Sequence, residues 1–160
     1  MKNQTKENII KSCEYANVKY YEGDIVEICS LIENEKKARG GRDKEPFYPI
    51  AINFFTSKIS HDSLYENSNV KILFVMDTEL HYTNKQRTVI TFPILYEKID
   101  DFLDCMEFNS IFDKDEVKTT ELQKINGGLQ NADKKGITFD NLDGILLEFI
   151  YKTVVSDCNE

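Results

Sequence analysis

Tryptophan is absent from this 160-residue sequence, and proline, histidine and cysteine number only three, two and four. No apolar run approaches the roughly 18 to 20 residues that a membrane-spanning helix needs, so the composition predicts a soluble globular protein. The polar residues 1–8 contain neither an apolar signal core nor an Arg-rich transit pattern, which predicts a cytoplasmic location. The length predicts one domain over residues 1–160.

The cysteines lack the spacing of a metal ribbon or of a thioredoxin-type redox site. Cys13, Cys29, Cys105 and Cys158 form no CxxC pair. Reduced thiols are the expectation for a protein that stays inside a cell. We therefore predict that all four cysteines are structural or incidental.

Signatures of phosphate-binding loops and of nucleophile elbows are also lacking, since GxxxxGK[ST], GxGxxG and GxSxG do not occur. Residues 60–63 spell Ser-His-Asp-Ser, but sequence neighbours cannot reach the geometry of a hydrolase triad, and we predict a surface loop there. Residues 100–104 spell the DDxxD pattern of prenyl-diphosphate enzymes, although Phe102 and Leu103 fit a buried helix stripe. We predict no catalytic residue and no cofactor.

The negative charge lies in one part of the chain. Residues 51–160 hold 11 basic and 19 acidic side chains, whereas residues 1–50 hold nine of each. A local field of this sign repels nucleic-acid backbones and favours a protein partner with a basic surface. The basic patch at 36–42 (KKARGGR) predicts a solvated connector or, alternatively, a contact loop for an acidic ligand.

Helical spacing dominates the first 40 residues. Apolar residues within 8–16 form a weak helical pattern, and a stronger one begins at the N-cap candidate Asp24 and runs to about residue 37. The period then changes: residues 47–59 predict a strand, and alternation over 70–82 followed by 87–92 predicts an antiparallel hairpin.

Helices are predicted again toward the C-terminus. One helix face after Pro93 is marked by Leu95, Ile99, Phe102, Leu103 and Met106. The pattern over 109–136 is ambiguous, and one reading places one or two helical turns over 116–125. A last helix begins at Asp140. Strands grouped between helices indicate an α+β fold. The prediction is one domain with an antiparallel sheet of about three or more strands, flanked by N- and C-terminal helices.

One row of carboxylates is the candidate binding surface. If the apolar face of the 93–107 helix packs on the core, an outward row remains, formed by Glu97, Asp100, Asp101, Asp104 and Glu107. Such a row serves as a contact surface or as a solubility device. The leading hypothesis is a small acidic inhibitor of a basic, nucleic-acid-acting partner, such as a bacterial immunity protein, an antitoxin or a phage counter-defence protein.

Two alternatives stay open. Asp77, Glu79 and His81 alternate along one predicted strand and therefore share a face, as the ligands of a metal-dependent enzyme could. Strands followed by two helices, entered by Phe92-Pro93 and closed by Phe139-Asp140, resemble the export chaperone SecB over the second half of the chain. That resemblance implies a holding chaperone.

Overall fold

The chain forms an α+β structure built on one mixed sheet. The computed structural model describes residues 4–24, 27–28, 30–31, 34, 49–53, 58–62, 65–77, 83–107, 116–123 and 142–154. Within the described residues, the helices with both ends defined are α1 (Gln4–Tyr15), α2 (Asn84–Gln86) and α3 (Phe92–Glu107), and a π-helical turn (Arg87–Thr91) joins α2 to α3. The strands are β1 (Lys19–Glu22), β2 (Ile50–Asn53), β3 (Lys58–Asp62), β4 (Tyr65–Asp77), β5 (Lys118–Leu122) and β6 (Leu142–Val154).

The first predicted helix is confirmed as α1, which starts four residues earlier than expected. It buries Ile9 and Cys13. Asn17 then adopts the left-handed conformation at φ 54°, which asparagine tolerates better than most residues. The N–H of Val18 donates to the Cys13 carbonyl at 2.8 Å, so the turn satisfies a carbonyl at the helix end.

The second predicted helix is supported by the part that is described. Residues 27, 28, 30, 31 and 34 are helical. The N–H of Ile28 donates to the carbonyl of Asp24 at 2.9 Å, as expected if Asp24 precedes the first turn.

The sheet has the order β1-β2-β4-β6-β5, and β3 also pairs with β4. β1 and β2 are parallel and every other pair is antiparallel, so the purely antiparallel sheet that we predicted is wrong. β6 pairs with β4 along its whole length, from Tyr65 opposite Val154 to Asp77 opposite Leu142. A strand has two edges, and β2 and β3 therefore share the other edge of β4 in succession.

The two sheet faces differ in what covers them. On the helix-covered face, alternate residues of β4 and β6 pack against α1 and α3. Phe102 of α3 meets the rings of Phe74 and Phe149 edge-on, at centroid distances of 5.4 and 6.3 Å. On the outer face, Leu73 and Val75 pack in a second apolar cluster, which includes Ile28.

The predicted hairpin over 70–92 is half right. β4 contains residues 70–77 of its first strand, and residues 78–82 lie outside the described residues. Residues 84–107 are helical without a break, so 87–92 is not a strand. The letters Thr83-x-x-Gln86 form a capping box: Gln86 N–H donates to Thr83 Oγ1 at 3.3 Å, and Thr83 N–H donates to Gln86 Oε1 at 2.8 Å. This local start signal sets the helix, whereas the β-branched Thr88 to Thr91 misled the strand prediction.

The predicted C-terminal helix is wrong, because residues 142–154 form the strand β6. β6 lies between β4 and β5, and its central part is covered on both faces. A strand buried on both faces reads as a continuous apolar run, which also fits a helical stripe. Residues 118–122 are likewise a strand, β5, in place of the helical turns predicted over 116–125.

Two further predictions concern strands and loops. Of the predicted strand over 47–59, the described residues form β2 and the start of β3, with Pro49 just before β2, while 47–48 and 54–57 lie outside the described residues. The basic patch at 36–42 lies outside the described residues.

Candidate protein-binding surface

Helix α3 displays the predicted carboxylates on its outward side. Glu97, Asp100, Asp104 and Glu107 are exposed, and Asp101 is partly exposed. These five residues are called the acidic row below. The opposite side of the helix is buried, at Phe92, Leu95, Ile99, Phe102, Leu103 and Met106. The sequence therefore predicted both sides of α3 correctly, because a 3.6-residue period separates them cleanly.

The acidic row stands on a well-anchored helix. α3 packs against α1, β4 and β6. At one flank the Tyr96 hydroxyl donates to Glu121 Oε1 of β5 at 3.0 Å, and burial raises the pKa of Tyr96 above its ordinary value. A helix held by aromatic packing and by a hydrogen bond to the sheet presents its outward groups in a defined geometry.

A buried ion pair holds the start of this helical segment. Arg87 Nη1 donates to Asp143 Oδ2 of β6, and the two side chains are 1% and 0% exposed. Buried charges are tolerated when they are paired in this way. Arg87 and Asp143 were missed as a pair, because the sequence placed one on a strand and the other on a helix. The Thr83-x-x-Gln86 capping box was the available signal that Arg87 lies on a helix.

A second surface lies on the outer face of the sheet. Asn69, Lys71, Lys118 and Glu148 are among the residues that line an open pocket of about 580 Å³. Lys71 Nζ and Glu148 Oε1 are 2.7 Å apart, and the two residues are directly opposed on β4 and β6. The pocket mixes both signs of charge, so it provides no field of one sign toward a ligand.

One of the two described thiols is held in its protonated form by burial. Cys13 is buried, and burial raises its pKa to about 12, so the thiol stays protonated at neutral pH. Cys105 is partly buried on α3. Cys13 is part of the apolar core.

Two groups of residues considered from the sequence are only partly described: the Ser-His-Asp-Ser run at 60–63 and the alternative metal site of Asp77, Glu79 and His81. Ser60, His61 and Asp62 belong to β3, so the surface loop predicted there is wrong, and Ser63 lies outside the described residues. Asp77 ends β4, whereas Glu79 and His81 are not among the described residues. Within the described part of the chain, no group of three or more His, Cys, Asp or Glu side chains is placed to hold a metal ion.

The resemblance to SecB loses its basis in the order of elements. It depended on strands followed by two helices, but α3 is followed by the strands β5 and β6. Phe92 does begin α3, while Phe139 and Asp140 fall outside the described residues.

Comparisons with known proteins identify no relative of this chain. No protein-family model matches the chain, and neither a curated protein nor a solved structure matches it. None of the described helices is long and apolar enough to cross a membrane.

Proposed function

We propose that this protein is a non-catalytic binding protein that inhibits a partner with a basic surface. A partner that acts on nucleic acid fits best, and the inhibitor would then work as a bacterial immunity protein, an antitoxin or a phage counter-defence protein does. The observation that carries the proposal is the acidic row, exposed on a helix whose other side is locked into the core.

Charge supports this choice of partner. The whole chain carries a formal net charge of −8. Proteins that cut or bind nucleic acid present basic clefts to the phosphate backbone, and an acidic surface can compete for such a cleft. The same field disfavours direct binding of nucleic acid by the acidic row.

Rigidity also supports it. Side chains on an anchored helix lose less conformational freedom on binding than those on a loop, so a larger share of the interaction energy appears as affinity. α3 meets this condition through its contacts with α1 and with the sheet.

The test begins with affinity capture from the native host, followed by inhibition and binding assays with the purified partner. The variant Asp101→Lys/Asp104→Lys reverses two charges of the acidic row. The matched control, Glu7→Lys/Glu14→Lys, makes the same change in net charge on the exposed side of α1. We expect the first variant to slow association at low salt, with a smaller effect at high salt, because screening shortens the range of charge attraction.

The control should associate at nearly the wild-type rate. Equal association rates for the folded Asp101→Lys/Asp104→Lys protein and the wild type at low salt would contradict the proposal. So would an equal loss in the control, since that would assign the effect to net charge alone.

A further inference from the structure

The turn that leads into α3 exposes two large apolar side chains. Val89 is 66% exposed and Ile90 is 43% exposed. Both lie in the π-helical turn, whose Arg87 and Thr91 point into the protein. Val89 and Ile90 are called the apolar tip below. Exposed apolar groups beside a polar surface are typical of contact sites, and single π-helical turns occur often at functional sites.

The apolar tip is exposed on a fixed segment. The N–H of Phe92 donates to the Arg87 carbonyl, which closes the π turn, and Arg87 is tied to Asp143 of β6. Before the turn, the capping box of Thr83 and Gln86 sets the start of the helical segment. The Thr88 hydroxyl also donates to the Asn84 carbonyl at 2.9 Å. These bonds hold both ends of the turn, so the exposure does not arise from a loose chain end.

The apolar tip is continuous with the acidic row. Exposed Pro93 follows one turn after the tip, and exposed Glu97 follows one turn after Pro93. One outward strip along the helical segment therefore begins with apolar groups and continues with carboxylates. A strip of this kind places apolar and charged groups next to each other, and protein interfaces use both kinds of contact.

We propose that the apolar tip and the acidic row together form one docking surface for an amphipathic basic segment of a protein partner. Apolar side chains of that segment cover Val89 and Ile90, and its lysines or arginines face the acidic row. This inference rests on the proposed function and specifies its partner. Charge complementarity selects this occupant, because an anionic membrane or a nucleic acid would be repelled by the same carboxylates.

The two parts of the surface act on different rates. Charges attract a partner from a distance and therefore change mainly the association rate. Apolar contacts form only after docking, and their loss changes mainly the dissociation rate. This difference lets one experiment separate the apolar tip from the acidic row.

The probe is a synthetic amphipathic peptide that repeats Leu-Lys-Lys-Leu. One control peptide replaces its leucines by serine, and another replaces its lysines by glutamate. The test variant is Val89→Ser/Ile90→Ser, since serine resembles valine and isoleucine in helix propensity. The matched control variant, Ile150→Ser, removes an apolar side chain that is 50% exposed on the outer face of the sheet. Thermal melts establish that every variant is folded.

We expect the Leu-Lys peptide to shift the NMR signals of Val89 and Ile90. The test variant should bind this peptide roughly tenfold more weakly through faster dissociation, with its salt dependence retained. The serine-substituted peptide should bind the wild type and the test variant equally weakly, and the glutamate peptide should not bind. Ile150→Ser should leave peptide binding unchanged.

Wild-type affinity in the test variant would overturn the inference, as would an equal loss in Ile150→Ser. If Asp101→Lys/Asp104→Lys still weakens binding in that case, the acidic row keeps its proposed role and only the apolar tip is rejected. If neither variant changes binding, both the inference and the proposed function fail.

Discussion

The two faces of the sheet show how far burial depends on what lies above each residue. The helix-covered face is apolar from Phe74 of β4 to Phe149 of β6, because α1 and α3 cover it. The outer face is apolar around Leu73 and Leu142 but polar around Lys71. Strands β4 and β6 run through both environments, so the same backbone pairing supports a dry core on one side and a partly wet surface on the other.

The comparison teaches that strand pairing and packing contribute separately. Lys71 and Glu148 are as regularly paired in the ladder as Phe74 and Ile145 are. The first pair depends on an ion pair and on solvent, whereas the second pair is removed from water, which supplies most of the stabilisation in a core. Substitutions on the two faces should therefore differ strongly in cost, even between neighbours in one strand.

The largest loss of stability is expected when the buried ion pair between Arg87 and Asp143 is broken. Asp143→Asn should lower the free energy of unfolding by about 3–5 kcal/mol, because it leaves the buried Arg87 guanidinium without its carboxylate. Urea denaturation measures the change. The double variant Arg87→Met/Asp143→Leu should recover most of the loss, because it removes both charges. A loss below about 1 kcal/mol for Asp143→Asn would show that the pair is not buried as described.

The sharpest contrast between the faces lies in adjacent residues of β6. Phe149→Ala should cost about 3 kcal/mol or more, because the ring is buried against Phe102 and Tyr151. Ile150→Ala, one residue later on the outer face, should cost less than about 1 kcal/mol. Thermal melts of both variants measure the two losses of stability. Equal losses would contradict the difference between the two faces.

The smallest effect is expected in the polar part of the outer face. A double-mutant cycle with Lys71→Ala and Glu148→Ala should give a coupling energy of about 0.3–1 kcal/mol, since the pair is partly exposed. The coupling should shrink as salt is added. A coupling that stays constant up to molar salt would indicate a pair shielded from solvent, and the outer face would then resemble the helix-covered face.

The most predictable helix is the one that has one wet side. α3 shows its period because polar residues mark its exposed positions, and the positions of the acidic row followed from α3 alone. β4 was recognised from its alternation and its β-branched residues, although Leu73 and Val75 are buried on its outer face. β6 has apolar residues toward both faces, so its period of two is hidden and a helical stripe fits as well. The parallel pairing of β1 with β2 joins Lys19 to Ile50 across a long stretch of chain, and no local pattern records it.

The apolar tip was hidden for a different reason. Val89 and Ile90 have strong strand propensity, and propensity outweighed the capping letters in the prediction. In the structure, the capping box and the Arg87–Asp143 pair override that preference. One member of the pair lies 56 positions from the other, so only the tertiary structure reveals it.

The position of β6 also sets the order in which the sheet can assemble. β6 is the last described strand along the chain, but it lies between β4 and β5. During synthesis, β5 emerges before the strand that connects it to the rest of the sheet exists. The nearest pair of the β4–β6 ladder, Asp77 with Leu142, already joins residues that are 65 positions apart, so an entropic cost of loop closure precedes any gain from pairing. Folding should therefore be slower than in proteins of this size with mostly local contacts, and the sheet can be completed only after β6 has left the ribosome.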